Sequence, residues 1–273
     1  GTVQENGGTG LAFTSSAGIL DGVTLRGALD LSAASSRARI FNGLTLLTEA
    51  GGSPGVANVT GSNAILAFQG TQSLNNATIN LGSAGQLNNE GAGTLTLGAG
   101  VTVQGSGTIG GQSFVGGSAT LINQGTISAN LSGQTLSISG NGVSTFTNQG
   151  ALEALAGTTL TASAANWSNA AGATISGTGA TVNFNNNWSN AGTVNSTNST
   201  LNLGGSFTLA AIGTINRSGG TVNLTGTLNN TATTFNVGSS TPIGIVTMNG
   251  GTIQGGTVQE NGGTGLAFTS SAG

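Results

Sequence analysis

The chain has no cysteine, histidine, tyrosine or lysine, and it carries little charge of either sign. Four arginines and seven acidic residues among 273 give a formal net charge of −3. The absence of cysteine excludes a disulfide framework and thiolate metal sites. Four cations cannot neutralise a nucleic-acid backbone, so no nucleic acid is expected as a partner. No apolar run approaches the roughly 20 residues that a membrane span requires.

The residues that are abundant favour β-structure. Glycine occupies 51 positions, and 36% of the chain is hydrophobic. Disordered segments of low charge are poor in apolar residues, so this composition is not typical of disorder. Valine, isoleucine, leucine and alanine alternate with threonine, serine and asparagine, which suits a pleated surface. Only Pro54 and Pro242 could interrupt a strand ladder. The composition predicts an ordered, all-β chain.

A long repeat joins the two ends of the sequence. Residues 1–18 read GTVQENGGTGLAFTSSAG, and residues 256–273 read the same eighteen residues without a change. We interpret residues 1–255 as one long repeat and residues 256–273 as the start of the next copy. A single duplication of the segment is the alternative. Because no internal boundary is visible, residues 1–273 are predicted to form one continuous solenoid segment.

A shorter, imperfect period lies within the long repeat. The strand-like runs TLSI, TLTA, TVNF, TLNL and TVNL begin at positions 135, 159, 181, 200 and 221. Their alternation places apolar side chains on one face and Thr or Asn on the other. Steps of about 21 residues match one coil of a stacked solenoid, and predict roughly 12 coils per long repeat. A string of β-sandwiches would not produce this fixed register. The predicted fold is therefore a parallel β-helix.

Two columns of side chains are predicted along the solenoid axis. Four asparagines that recur at steps of 25, 21 and 21 residues are expected to stack as an amide ladder: Asn123, Asn148, Asn169 and Asn190. Phe146, Trp167 and Trp188 recur at steps of 21 and are expected to form an aromatic column. The alternative for the asparagines is that turns simply tolerate this residue in the left-handed conformation.

Two further runs resemble a known family. GTLTLGAGVTVQGSGTIGG from Gly93 and VTMNGGTIQGGTV from Val246 are similar to the passenger repeats of bacterial autotransporters and filamentous-haemagglutinin-type adhesins. The resemblance implies a right-handed parallel β-helix, export to the cell exterior, and a role in stalks, filaments or attachment. An extracellular or cell-surface location is the corresponding expectation.

Seven of the eleven charged residues lie within the first fifty positions. Residues 32–43 and 49–59 break the strand pattern and are expected to leave the coil as loops. One interpretation makes Arg37, Arg39 and Pro54 a lateral-contact patch that recurs once per unit. The other makes both segments solvated corner loops, whose surface ion pairs contribute little to stability.

No catalytic, metal-binding or cofactor-binding residue is predicted. Glycoside hydrolysis needs a facing pair of carboxylates, yet Glu153 is the only acidic residue between positions 91 and 216. We therefore predict a non-catalytic, fibre-forming segment of a secreted or cell-surface tandem-repeat protein. Its expected partner is itself, through axial continuation and lateral bundling. The alternative is an adhesin stalk that binds a host, a surface or a carbohydrate, and a polysaccharide-acting enzyme is the third candidate.

Overall fold

The computed structural model of the chain describes residues 1–7 and 10–270. Over these residues its regular secondary structure consists of strands and one short helix. The elements are β1 (Thr2–Gln4), β2 (Gly18–Arg26), β3 (Ala28–Asp30), β4 (Arg37–Leu47), β5 (Gly55–Val59), β6 (Ile65–Gln69), β7 (Gln72–Leu81), β8 (Gln86–Glu90), β9 (Thr94–Gly105), β10 (Gly107–Ile109), β11 (Ala119–Asn123), β12 (Thr126–Ala129), β13 (Thr135–Ser139), β14 (Val143–Asn148), β15 (Ala151–Ala154), β16 (Thr159–Ser163), β17 (Asn166–Asn169), β18 (Thr174–Thr178), β19 (Thr181–Phe184), β20 (Asn187–Asn190), β21 (Thr193–Thr197), β22 (Thr200–Leu203), β23 (Ser206–Thr208), α1 (Leu209–Ile212), β24 (Thr214–Ser218), β25 (Thr221–Leu224), β26 (Thr227–Asn229), β27 (Thr234–Val237), β28 (Val246–Met248), β29 (Thr252–Gln254), β30 (Thr257–Glu260) and β31 (Leu266–Phe268).

The paired strands are parallel and stack into three faces that run the length of the molecule. The first face contains the start of β2 and of β4, then β6, β8, β10, β13, β16, β19, β22, β25, β28 and β31. The second face contains β1, the ends of β2 and β4, the starts of β7 and β9, then β11, β14, β17, β20, β23, β26 and β29. The third face contains β3, β5, the ends of β7 and β9, then β12, β15, β18, β21, β24, β27 and β30. Each turn of chain contributes one strand, or part of a longer strand, to each face.

The architecture is an all-β parallel solenoid of about 12 turns with about 22 residues in each. This confirms the fold class expected from the 21-residue steps. The turns vary in length because extra residues leave at the corners while the strands keep their register. The largest such segment in the middle of the chain joins β10 to β11, and we call residues 110–118 the docked loop because it folds back over the first face.

Side-chain alternation explains why these short segments form strands. Leu160 of β16 pairs in register with Val182 of β19, which pairs with Leu201 of β22. All three point into the core and are at most 4% exposed. Burying each such side chain contributes roughly 1.5–3 kcal/mol, and no single turn could bury it alone. The stacked turns therefore stabilise one another.

The prediction of a loop over residues 32–43 is wrong for most of that range. β4 begins at Arg37, and its first residues pair in register with β6. Ala38 and Ile40 are fully buried, whereas Arg37 and Arg39, which alternate with them along the strand, point outward. The run RARI is thus an alternating strand whose outward positions happen to be charged. The second predicted loop, residues 49–59, is shorter than expected, because β5 already begins at Gly55.

The regular stack is interrupted near the end of the described chain. The helix α1 occupies the corner between the second and third faces, and the Thr208 hydroxyl caps it by accepting from the Ala211 amide at 3.3 Å. Beyond this point β27 pairs with β30 and does not pair with β24. Over residues 1–7 and 10–270 no helix is long and apolar enough to cross a membrane.

Candidate functional site: axial ladders and an arginine–phenylalanine cluster

The four asparagines of the predicted ladder form a continuous chain of side-chain hydrogen bonds. Asn123 donates to Asn148 at 2.8 Å, Asn148 to Asn169 at 2.7 Å, and Asn169 to Asn190 at 2.8 Å, in each case from Nδ2 to Oδ1. All four side chains are at most 3% exposed and end the strands of the second face. None of them has the positive φ that several turn asparagines, such as Asn186, adopt. These positions are therefore occupied for their amide contacts and not for turn geometry.

Both ends of the buried ladder are visible in the structure. At the upper end, Asn190 donates to the backbone carbonyls of Ile212 at 2.9 Å and Thr214 at 3.2 Å. At the lower end, Leu97 is the register partner of Asn123, and the Oδ1 of Asn123 is buried without a hydrogen-bond donor in the described part of the chain. The ladder thus ends where an apolar residue replaces asparagine, and it spans four turns.

The aromatic side chains of the second face also stack along the axis. Phe146 pairs in register with Trp167, and Trp167 with Trp188. The tryptophan rings are stacked, with centroids 5.9 Å apart and planes inclined by 22°. Phe207 extends the column, with its ring centroid 4.4 Å from that of Trp188. Phe184 contacts both indoles edge-on. Phe184 and Phe207 were not among the residues expected in this column.

The buried indole N–H groups are satisfied by backbone carbonyls. Trp167 donates from Nε1 to Asn185 at 2.9 Å, and Trp188 donates to Gly204 at 2.8 Å. Each bond joins a tryptophan to the turn that follows it. The column therefore adds polar links between successive turns to the stacking of the rings.

Further amide ladders run along the outer surface, and sequence reasoning missed them. On the first face, Asn223 donates to Asn202 at 2.8 Å and Asn202 to Asn183 at 2.7 Å. On the third face, one outer ladder mixes two residue types: Asn80 bonds to Asn58, Gln104 to Asn80, and Asn130 to Gln104. The signal for the first of these was present in the sequence, since TVNF, TLNL and TVNL place asparagine at the same position of each strand.

Arg37 and Arg39 lie side by side on the outside of the first face and contact an aromatic ring. The guanidinium carbon of Arg39 is 4.9 Å from the ring centroid of Phe114 and 5.4 Å from that of Phe41, and that of Arg37 is 6.0 Å from Phe114. Arg39 donates to the neutral Oε1 of Gln69 at 3.0 Å. We call Arg37, Arg39, Phe41 and Phe114 the arginine–phenylalanine cluster.

The cluster contains two of the chain's four cations. Within residues 1–7 and 10–270, neither arginine donates a hydrogen bond to a carboxylate. The Nε atoms of both Arg37 and Arg39 are buried without an acceptor in that part of the chain. Pro54, which was expected beside the arginines, lies instead at the corner between the second and third faces. The structure therefore brings Arg37 and Arg39 together and leaves Pro54 apart.

A buried carboxylate fixes the docked loop that carries Phe114. Glu90 is fully buried, and its two oxygens accept from the backbone amides of Ser113, Phe114 and Val115 at 2.7–2.9 Å. Asn88 also donates to Glu90 at 3.0 Å. Hydrogen bonds from backbone amides to a carboxylate are among the stronger hydrogen bonds in proteins. Glu90 thus holds Phe114 against arginines that belong to an earlier turn.

The surface also has an apolar cleft at the interruption of the third face. Its volume is about 610 Å³, and its lining includes Ile212, Ile215, Phe235 and Ile243. No titratable residue is among those that line it. Among residues 1–7 and 10–270 there is also no group of three or more His, Cys, Asp or Glu side chains that could hold a metal ion.

The geometry defines the class of molecule as a parallel β-solenoid with stacked amide and aromatic columns. Comparisons of the chain with protein-family models, with curated proteins and with solved structures found no match.

Proposed function

We propose that the chain is a structural, fibre-forming segment of a secreted or cell-surface protein built from tandem copies of a 255-residue unit. The observation that carries this proposal is the axial continuity of the molecule. Parallel strands, the buried amide ladder and the aromatic column all link one turn to the next. The eighteen residues shared by the two ends supply the sequence for continuing the stack into a further unit.

The physical basis of this role is stiffness along one axis. Strand pairing joins each turn to the turns directly above and below it, so stability accumulates with length. The outward side chains are mostly neutral Thr, Ser and Asn, which allows identical rods to approach without charge repulsion. Lateral bundling through these faces is part of the proposal.

The mass of the native polypeptide under denaturing conditions tests the proposal. The 273-residue chain has a mass of 26.1 kDa, and we expect a native mass of several units. Electron microscopy of the same material should show unbranched rods whose length grows with the number of units. A native mass near that of one unit would contradict the covalent array, and compact particles would contradict the rod.

A second candidate function is that of an adhesin stalk, and the arginine–phenylalanine cluster favours it. Two guanidinium groups that have no carboxylate partner among the described residues lie on a nearly uncharged surface, and they match the carboxylate or sulfate groups of an acidic polysaccharide. The flat face of Phe114 could in addition lie against a sugar ring. The candidate ligand class is therefore an anionic carbohydrate.

The double variant Arg37→Gln with Arg39→Gln tests this second candidate. Binding to immobilised dextran sulfate should fall to the level of the bare matrix. Arg217→Gln is the matched control, because the Arg217 guanidinium already donates to the carbonyls of Gly219 and Gly220 at 3.0 and 2.6 Å. Equal retention of both variants would overturn the adhesin interpretation without affecting the rod.

A further inference from the structure

The two copies of the repeated segment lie on different faces of the solenoid. In the first copy, β1 pairs with the end of β2, with Thr2 opposite Thr24, and so belongs to the second face. In the second copy, β30 contains the same residues but pairs with β27, with Thr257 opposite Thr234. β27 follows β26 of the second face along the chain, so β30 belongs to the third face. Identical residues are thus displaced by one face.

The rest of the repeated segment is displaced in the same direction. Leu11 and Phe13 lie with Asp30 and Ala33 around a small pocket, which places them beneath the third face. Their counterparts Leu266 and Phe268 are in β31, which pairs in register with β28 of the first face. Second face to third and third face to first are both a step of one face. The displacement therefore involves two separate parts of the described segment and not one strand.

One carboxylate–amide hydrogen bond within the segment is nevertheless the same in both copies. In the first, the Glu5 carboxylate accepts from the Gly10 amide at 3.1 Å. In the second, the Glu260 carboxylate accepts from the equivalent amide, that of Gly265, at 2.9 Å. The same contact is thus kept at two positions around the axis, although residues 11–13 form no strand and their counterparts form β31.

From these observations we infer that consecutive units of the array are rotated by one third of a turn relative to one another. This inference rests on the proposed tandem array. The first face contributes twelve strands from β2 to β31, which mark eleven whole turns. The displacement by one face adds a third of a turn to each 255-residue unit. Three units then complete 34 turns before a given residue returns to the same face.

The rotation has a consequence for the surface of the fibre. At roughly 4.8 Å per turn, 34 turns rise about 160 Å. Within that length the arginine–phenylalanine cluster appears three times, once on each face. A rod of this kind offers the same patch to neighbours on all sides, and it therefore favours bundles over flat sheets.

An in-phase array is the alternative, and it requires a different structure at each junction. If every unit started on the same face, Leu11 to Phe13 and their counterparts would have to leave the coil. The second unit's Thr24 would then lie above Thr252 of the second face. In the rotated array, the second unit's Thr24 instead lies above Thr257, as Thr24 lies above Thr2.

Cysteine cross-linking at one junction of a chain of consecutive units separates these arrangements. The unit has no native cysteine, and adjacent strands bring Cα atoms within the range that a disulfide spans. Thr257→Cys combined with Thr24→Cys of the second unit is expected to cross-link in most molecules. Thr252→Cys combined with the same second-unit change is expected to stay at the level of a single-cysteine chain. Thr234→Cys with Thr257→Cys is the internal control within one unit.

Either opposite outcome overturns the rotation. A cross-link from Thr252 would establish the in-phase junction, and no cross-link from either position would show that consecutive units do not stack. These results are independent of the native mass. A native mass of several units with the Thr252 cross-link would keep the proposed function and remove only the rotation.

Discussion

Asn148 donates a hydrogen bond of 2.7 Å from its side-chain Nδ2 to the Oδ1 of Asn169, and both side chains are fully buried. Asn148 and Asn169 each donate to the asparagine of the next turn and accept from that of the turn before, so removing either side chain affects the turn below and the turn above. A buried polar group left without a partner costs about 1–3 kcal/mol. Deleting a single side-chain amide should therefore lower the free energy of unfolding most in the buried ladder.

We expect Asn169→Ala to lower the free energy of unfolding by more than the same change in an outer ladder. It leaves Asn148 without its acceptor and Asn190 without its donor. Asn202→Ala is the matched control, because Asn202 also lies between two asparagines but is only partly buried. Urea unfolding of both variants measures the difference. Equal losses of unfolding free energy in the two variants would mean that burial does not determine how much a ladder contributes to stability.

The same ladder shows how much the sequence could reveal. The four asparagines recur at nearly constant steps, so their column was predictable from spacing alone. The outer ladder through Asn58 and Gln104 was not, because it mixes two residue types and its steps are uneven. A ladder that uses one residue type at regular steps can be predicted from the sequence, whereas a ladder that mixes asparagine and glutamine cannot.

The arginine–phenylalanine cluster marks the other limit of sequence reasoning. The polar run before Arg37 concealed a strand, because the alternation of Ala38 and Ile40 is too short to stand out. The contact with Phe114 depends on a loop that begins several turns later and folds back. Such a contact is set by the docking of that loop on Glu90 and has no signature in local sequence.

The aromatic column leads to a second prediction. Trp188 contacts Trp167, Phe184 and Phe207 and is 5% exposed. Trp188→Ala should lower the free energy of unfolding by about 3–5 kcal/mol, the usual cost of deleting a large buried aromatic side chain. Trp188→Phe should cost less, because it keeps a ring in the column and loses chiefly the bond from Nε1 to Gly204. Urea unfolding followed by circular dichroism gives both values. A Trp188→Phe variant as unstable as Trp188→Ala would show that the indole hydrogen bond, and not the stacking, dominates.

The docked loop gives a third prediction. Glu90→Ala removes the acceptor for three consecutive backbone amides and should release the loop while the strands remain paired. Hydrogen exchange at Ser113, Phe114 and Val115 should become much faster, and proteases should cut within residues 110–118. Glu153→Ala, at an outward position of β15, is the control and should leave these amides unchanged. Unchanged protection in Glu90→Ala would mean that Phe114 and the arginines hold the loop without the carboxylate.

The carboxylate of Glu260 provides a prediction about pH. Backbone hydrogen bonds from Leu266 and Gly265 stabilise the charged form and hold the pKa of Glu260 below its ordinary value of 4.5. Because the folded pKa is the lower one, the stabilisation of this turn is fully present above pH 4.5 and is lost as the pH falls through the folded pKa. The amide resonance of Gly265, followed by NMR, should therefore titrate with a midpoint below 4.5. Glu260→Gln should abolish the titration and leave the amide shift constant with pH. A midpoint at or above the ordinary value would mean that the turn does not favour the ionised carboxylate, and that the loop closure seen at Glu260 contributes nothing to the acid sensitivity of the segment.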